Sequence, residues 1–348
     1  MAIKWGVIGA GGIAERRTIP EGIIACPDAE LVAVQDVAED RVKAVGQKFG
    51  VSGVYTSEYD LLNDSNVEAV YIATPTHLHY DQVMAAAAAG KHILCEKPLA
   101  LTLQQCEEMV EECASRGVKL GVNFMMRYHA CHAALKQMID NGELGTLVMG
   151  RAELTCWYPP IPGAFRQDPE LGGGGSFIDM GNHCVDLLEQ FFGRVREVKC
   201  YTANLVQDYA SEDTAVAMLQ FENGAIGVVD ALFNVPDSAA RNALEVYGSK
   251  GSVYSFGTIG QASTGTLNAV LERGEKGYDA GQARSADEGK QTIEPPVVNQ
   301  YEAHIQAFCD AINNDTPAPI PGEEGIWSHK VIDACYESAR TGKAVEVS

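Results

Sequence analysis

The chain has 348 residues, with 47 acidic against 26 basic side chains, a net charge of −21 and 46% hydrophobic residues. The length suits two domains and the apolar fraction two packed cores, which excludes a disordered chain. The negative surface repels phosphate backbones and anionic lipid, so neither a nucleic-acid nor a membrane partner is expected.

Ile3–Ile8 reads as a buried strand ending in a glycine run, and a helix follows to about Cys26. Leu31–Asp36 is a second strand, with helices over Asp40–Phe49 and Glu58–Leu62. Then come a strand at Val67–Ala73, a helix at His79–Ala89 stopped by Gly90, and a strand at His92–Lys97. A helix at Leu103–Arg116, stopped by Gly117, precedes a strand at Lys119–Asn123. This alternation predicts a parallel sheet with right-handed crossovers. After Tyr128 the pattern changes to a helix at His129–Asn141 and longer β stretches at 147–156, 195–204, 213–221, 225–233 and 243–248. Asn223-Gly224 is a hairpin signal, a helix follows Gly181, and Tyr301–Asn313 and Gly325–Thr341 read as terminal helices. The stretch 225–233 is apolar on both faces, which suits an interface or a central buried strand. Residues 260–290, rich in Gly, Ser and charge, read as a long exposed excursion. The fold class is therefore α/β. A parallel-sheet domain over 1–124 precedes an α+β domain over 125–348, built on a large, mostly antiparallel open sheet, and the terminal helices are free to pack back on the first domain. Ten cysteines make no Cys-x-x-Cys pair, no apolar run reaches membrane length and no leader-like start is seen. A reduced, cytoplasmic protein is expected.

Gly9, Gly11 and Ala14 form G-x-G-x-x-A directly after a strand and at the mouth of a helix, with Gly12 and Ile13 between them. Small residues let the backbone approach a pyrophosphate, and the helix start offers free N–H groups to that anion. Asp36 ends the next strand, where a carboxylate accepts from a ribose 2′-OH and repels a 2′-phosphate. This predicts a Rossmann domain that prefers NAD to NADP, with Arg41 near enough to blur the preference.

Ile72-Ala73-Thr74-Pro75-Thr76-His77-Leu78-His79, then Ala89-Gly90-Lys91-His92-Ile93-Leu94-Cys95-Glu96-Lys97-Pro98, strongly resemble the glucose–fructose oxidoreductase/inositol dehydrogenase/rhizopine-catabolism (Gfo/Idh/MocA) family. The resemblance continues at Asn123, Arg127-Tyr128, Phe165-Arg166, Gly172–Gly175 and Asp179-Met180-Gly181-Asn182-His183, and covers nearly the whole chain. It implies a nicotinamide site in the cleft between the two domains. By that resemblance Thr74, Pro75 and His79 line the cofactor channel, Glu96 and Lys97 sit by the nicotinamide ribose and reacting carbon, and Asn123 and Arg166 lie near the cofactor. Arg127, Tyr128 and Asn182 fall on the substrate side. Phe165 departs from the tryptophan of many relatives, which makes the aromatic cover of the cofactor looser or differently shaped.

Oxidising a secondary alcohol needs a hydride acceptor and a base for the hydroxyl proton. Lys97 beside a cationic ring would have its ammonium form disfavoured, which suits a base. Asp179 and His183 are four apart and share a helix face, where a carboxylate orients an imidazole. Either Lys97 or His183 can take the proton, the other polarising the same oxygen. An Asp/His pair at this spacing is often only structural. The Gly172–Gly175 run, by letting backbone approach a ligand, favours the functional reading. His77 with His79, and His129 with Cys131 and His132, offer no full ligand set at metal spacing, so no metal is expected.

Trp157 and Tyr158, in a proline-stiffened loop, would present aromatic faces at the cleft mouth to a pyranose or a flat aglycone. The substrate expected is then a glucose-like glycoside oxidised at a secondary hydroxyl, with position 3 favoured. The alternatives are a myo-inositol dehydrogenase, a redox-neutral enzyme with tightly bound NAD, or a non-catalytic NAD or sugar sensor. Relatives pair subunits through the second sheet, which implies a homodimer or homotetramer.

Overall fold

The computed structural model describes residues 1–272, 280 and 289–348. The first sheet has six parallel strands: β1 (Ile3–Ile8), β2 (Ala29–Gln35), β3 (Gly53–Tyr55), β4 (Ala69–Ile72), β5 (His92–Cys95) and β6 (Leu120–Val122). Helices α1 (Glu39–Phe49), α2 (Glu58–Leu62), α3 (Thr76–Ala88) and α4 (Leu103–Arg116) cross between them. Trp5, Val7, Val70, Tyr71 and Ile93 are wholly buried, as expected for parallel strands covered on both faces. The strand order is β3-β2-β1-β4-β5-β6. It reverses between β1 and β4, the switch point where a crevice opens beyond the strand ends. The loops after these two strands carry Gly9–Gly12 and Thr74-Pro75.

The helix after β1 runs Ala14–Ile23 in π turns, with the Ile24 N–H donating to the Ile19 carbonyl at 2.9 Å. Pro20 lies inside it and lacks the N–H that an α-helical rung requires, so the wider turns replace the α-helix expected from the pattern.

After α5 (Ala130–Asp140) the chain builds a nine-stranded sheet. Its strands are β7 (Leu147–Thr155), β8 (Val195–Ala203), β9 (Thr214–Phe221), β10 (Ile226–Leu232), β11 (Ala243–Gly248), β12 (Gly251–Phe256), β13 (Thr266–Leu271), β14 (Lys290–Ile293) and β15 (Val345–Glu346). The order is β14-β13-β12-β11-β7-β10-β9-β8-β15. Only the β7–β10 pair is parallel. Helices α6 (Pro169–Gly172) and α7 (Asn182–Phe192) lie between β7 and β8 in the chain, and α8 (Gln300–Asn313) and α9 (Gly322–Thr341) follow β14.

β10 is central but buried on one face only. Gly227, Val229 and Ala231 point into the core, while Ile226 is 52% exposed on the other side. Part of the stretch read as an exposed excursion is β13, with Leu267 and Ala269 buried. Residues 273–279 and 281–288 of that stretch lie outside the described residues. The C-terminal segment returns to the first sheet. Phe308 of α8 packs on Trp5 with ring centroids 5.7 Å apart, and the Val122 N–H donates to the Ile320 carbonyl at 2.9 Å. All ten cysteines are free thiols, and Cys156 alone is not buried. Among the described residues no helix is long and apolar enough to cross a membrane.

Candidate active site

A cleft of about 920 Å³ runs from the glycine loop, across the switch point, to the ends of β7 and β10. On its first wall Gly9 holds φ +77° and Gly12 φ +62°, a backbone that side chains rarely adopt. A Cβ on Gly9 would press on Thr74, whereas one on Gly12 would meet nothing within 4 Å. The loop is thus shaped on one side by the chain and left open on the other, as a pyrophosphate cradle requires. Asp36 is buried; one carboxylate oxygen accepts from the Gly11 N–H at 3.1 Å and the other from the Ala38 N–H at 3.0 Å. Arg16, Arg41, Ile13, Thr74, Pro75 and His77 complete this wall. The His79 ring lies between the carbonyls of Thr74 (2.9 Å) and Pro98 (3.0 Å). From α3 it ties those two loops together, and with both nitrogens engaged it is not free to ligate a metal. His132 is likewise held between the Met126 carbonyl and the Thr258 hydroxyl. Among the described residues no three His, Cys, Asp or Glu side chains gather to hold an ion.

Four residues that line the cleft each carry a buried polar atom without a hydrogen-bond partner among the described residues: Nδ1 of His77 and of His183, Oγ1 of Thr155 and the hydroxyl of Tyr301. Buried polar atoms are costly when unpaired. These residues, the glycine cradle and Asp36 fit a dinucleotide and a hydroxylated substrate.

Lys97, at the end of β5, donates from Nζ to the Asp179 carboxylate at 2.8 Å and to the Asp179 carbonyl at 2.6 Å. Arg166 Nε lies 2.9 Å from the same carboxylate oxygen, and the Arg166 guanidinium covers the Phe165 ring at 4.4 Å. Burial opposes ionisation of Asp179, but Arg166 and Lys97 overcome it and hold its pKa well below the usual carboxylate range. The expected Asp179–His183 pair is therefore corrected. The carboxylate is taken by two cations from distant parts of the chain, and His183 stands apart with its ring edge-on to Phe124 (6.3 Å, 83°). Burial, then the Lys97 charge, pushes the His183 pKa well below its ordinary value, against the pull of Asp179. The site thus holds a neutral imidazole with an unpaired nitrogen beside a charge-paired lysine.

Other candidates fall outside the cleft wall. Asn123 lies behind Glu96: its amide donates to Glu96 Oε1 (2.8 Å) and to the Tyr71 hydroxyl (3.0 Å), and its oxygen faces His304 Nδ1 (2.9 Å). The Tyr71 hydroxyl also donates to Glu96. Glu96 itself lines the cleft. Arg127 is tied to Asp186 (2.5 Å) and Glu324 (2.7 Å), Tyr128 stacks on His304, and Asn182 accepts from the Ser328 hydroxyl. These three side chains are committed to packing between helices rather than to a ligand. Trp157 is 43% exposed and bridges to Asn234, whereas Cys156 and Tyr158 line the cleft. Alternate residues of an extended segment face opposite sides, so only one of the two adjacent aromatics can reach the ligand. The Gly172–Gly175 run does not line the cleft either. A Cβ on Gly174 would collide with the Tyr336 hydroxyl and one on Gly175 with the Glu212 backbone, so the close approach is to the chain itself. Tyr301, Gln261, Asp237 and Asn242 line the cleft without any local motif to announce them. Only the left-handed backbone of Asn242 (φ 46°), a conformation asparagine tolerates, has a sequence correlate.

Residues 3–124 match the model of an oxidoreductase family with an NAD-binding Rossmann fold, and residues 132–254 match the GFO/IDH/MocA C-terminal domain. The chain is 30% identical to a 1,5-anhydro-D-fructose reductase of Ensifer adhaerens over 99% of this chain and 98% of that protein. It is also 30% identical to a myo-inositol 2-dehydrogenase of Thermotoga maritima, again over 99% of this chain and 98% of the relative. A levoglucosan dehydrogenase solved with NADH and levoglucosan superposes with a TM-score of 0.86 at 22% identity, covering 100% of both chains.

Proposed function

The chain belongs to the GFO/IDH/MocA family of nicotinamide-dependent oxidoreductases, and from that premise we propose that it oxidises a secondary ring hydroxyl of a pyranose sugar or glycoside to a ketone, using NAD. One observation carries the reading: a neutral, unpaired His183 imidazole and an Asp179-held Lys97 ammonium line one cleft with a dinucleotide cradle. When bound, NAD supplies the hydride acceptor. Lys97 donates to the substrate oxygen and favours its alkoxide form, because its charge is fixed in place before the reaction. His183 takes the hydroxyl proton. Asp179 and Arg166 hold the lysine in position, and Glu96, held by Asn123 and Tyr71, would accept from a ribose hydroxyl of the bound cofactor. Asp36 supports NAD over NADP, since a buried carboxylate already facing the Gly11 N–H repels a 2′-phosphate.

The substrate side is lined by Thr155, Tyr158, Phe233 and Asp237. An aromatic wall with scattered polar groups suits a pyranose, whose C–H face packs on a ring while its hydroxyls bond at the edges. A glycoside oxidised at position 3 puts its anomeric substituent towards the cleft mouth. The relation to a myo-inositol 2-dehydrogenase favours a second reading, a free cyclitol as substrate. Comparing kcat/KM for a methyl glucoside, glucose and myo-inositol with NAD separates the two: preference for the glucoside supports the first, preference for myo-inositol replaces it by the second. The uncovered face of the second sheet, where Val216, Met218 and Ile226 are 37–52% exposed, supports a homodimer or homotetramer.

A further inference from the structure

The segment carrying Asp179 and His183 begins with four consecutive backbone N–H groups that a helix cannot satisfy itself. The Gly175 N–H donates to Glu212 Oε2 at 2.8 Å and the Phe177 N–H to Glu212 Oε1 at 2.9 Å. The Ser176 N–H donates to the Glu212 carbonyl at 3.0 Å. The Ile178 N–H donates to the Tyr336 hydroxyl at 3.2 Å, and that hydroxyl donates to Glu212 Oε1 at 2.9 Å. All four orphan groups are taken by two residues, Glu212 just before β9 and Tyr336 on α9. A carboxylate at a helix start is also favoured by the helix dipole. The neighbouring glycines carry the same imprint, because side chains at Gly174 and Gly175 would occupy the space of Tyr336 and Glu212.

We propose that Glu212 and Tyr336 are positioning residues for the reaction: their clasp sets the height and rotation of the turn from which Asp179 reaches Lys97 and His183 enters the cleft. Neither residue lines the cleft, so each acts through the turn. The inference rests on the reading of Lys97, Asp179 and His183 as the reacting centre. Releasing the turn loosens the Asp179 carboxylate that holds Lys97, and a displacement of about 1 Å at a reacting group costs on the order of 100-fold in rate.

The test compares wild type, Glu212→Ala, Tyr336→Phe and Lys97→Ala. Three quantities are measured: amide hydrogen exchange over residues 175–183, NADH affinity, and kcat per NADH-binding site. The sugar used is whichever of methyl glucoside, glucose and myo-inositol the wild type turns over fastest, with and without deuterium at the reacting carbon. The clasp variants should exchange faster over 175–183 and bind NADH as the wild type does. Their kcat per site should fall by roughly tenfold for Tyr336→Phe and about 100-fold for Glu212→Ala, with a larger isotope effect because the chemical step has slowed. A merely structural role would lower the number of NADH-binding sites but leave kcat per site and the isotope effect unchanged, and that result overturns the proposal, as does unchanged exchange. Tyr336→Phe keeps the ring against Phe177 and decides the matter if Glu212→Ala does not fold. Full turnover in Lys97→Ala would instead overturn the catalytic reading beneath it.

Discussion

At the scale of single residues, the two groups expected to handle the proton are now unequal. Lys97 is occupied by Asp179, while His183 is neutral with a free nitrogen. Lys97→Ala and His183→Ala should each lower kcat by at least about 100-fold with NADH binding retained; near-normal turnover in either removes that residue from the mechanism. Because the fold pushes the His183 pKa down, the base stays unprotonated into acid. As pH falls, kcat should therefore hold through the usual histidine value of about 6.5 and decline only below it. A decline centred at that ordinary value and lost in His183→Ala would contradict the assignment. Asp36→Ser should narrow the preference for NAD over NADP; equal use of both by the wild type would remove Asp36 from cofactor choice. Lys97, Asp179 and His183 are legible in the sequence through their motifs. Their pairing is not, because Arg166 and Lys97 reach the carboxylate from loops that only the fold brings together.

Whole elements were legible where periodicity is long. The strand over 3–8 and the helix over 103–116 match their observed bounds, and the latter is marked by its Thr102 cap and the left-handed Gly117. Elements set by tertiary pairing were not. Gly53–Tyr55 is three residues long, and Gly251–Phe256 and Lys290–Ile293, to which the sequence assigned no strand, are held by pairing with their neighbours. The loop after β7 shows how much a one-residue alternation decides. Tyr158 faces the cleft and Trp157 does not. Tyr158→Ala should accordingly shift relative kcat/KM between methyl glucoside and myo-inositol, and Trp157→Ala should leave that ratio near the wild-type value. The reverse outcome would show that Trp157 swings inward when substrate binds.

For the molecule as a whole, the C-terminal helices tie both sheets together, and the joint is rich in buried histidine. His132 and His304 are held at a pKa of about 3, chiefly by burial. Folded, they stay neutral; unfolded, they take up protons below about 6.5. Unfolding therefore binds protons, and stability falls with pH by up to ~1.4 kcal/mol per unit for each histidine. Glu189, pushed up to about 7 by burial, acts in the opposite sense between about 4.3 and 7. The steepest loss is expected below about 4.5, where Glu189 no longer offsets the histidines. A urea midpoint that does not change from pH 6 to pH 4 would contradict this.

Oxidation of a sugar hydroxyl with NAD in the Lys97–His183 cleft can be followed optically. The direct measurement is the NADH absorption band of purified protein given NAD and, in turn, methyl glucoside, glucose and myo-inositol, for wild type and Lys97→Ala. Wild type should show a sustained rise with at least one of them, largest with the glucoside, and Lys97→Ala almost none. No rise with any of the three, or equal rises in both proteins, would contradict this chemistry.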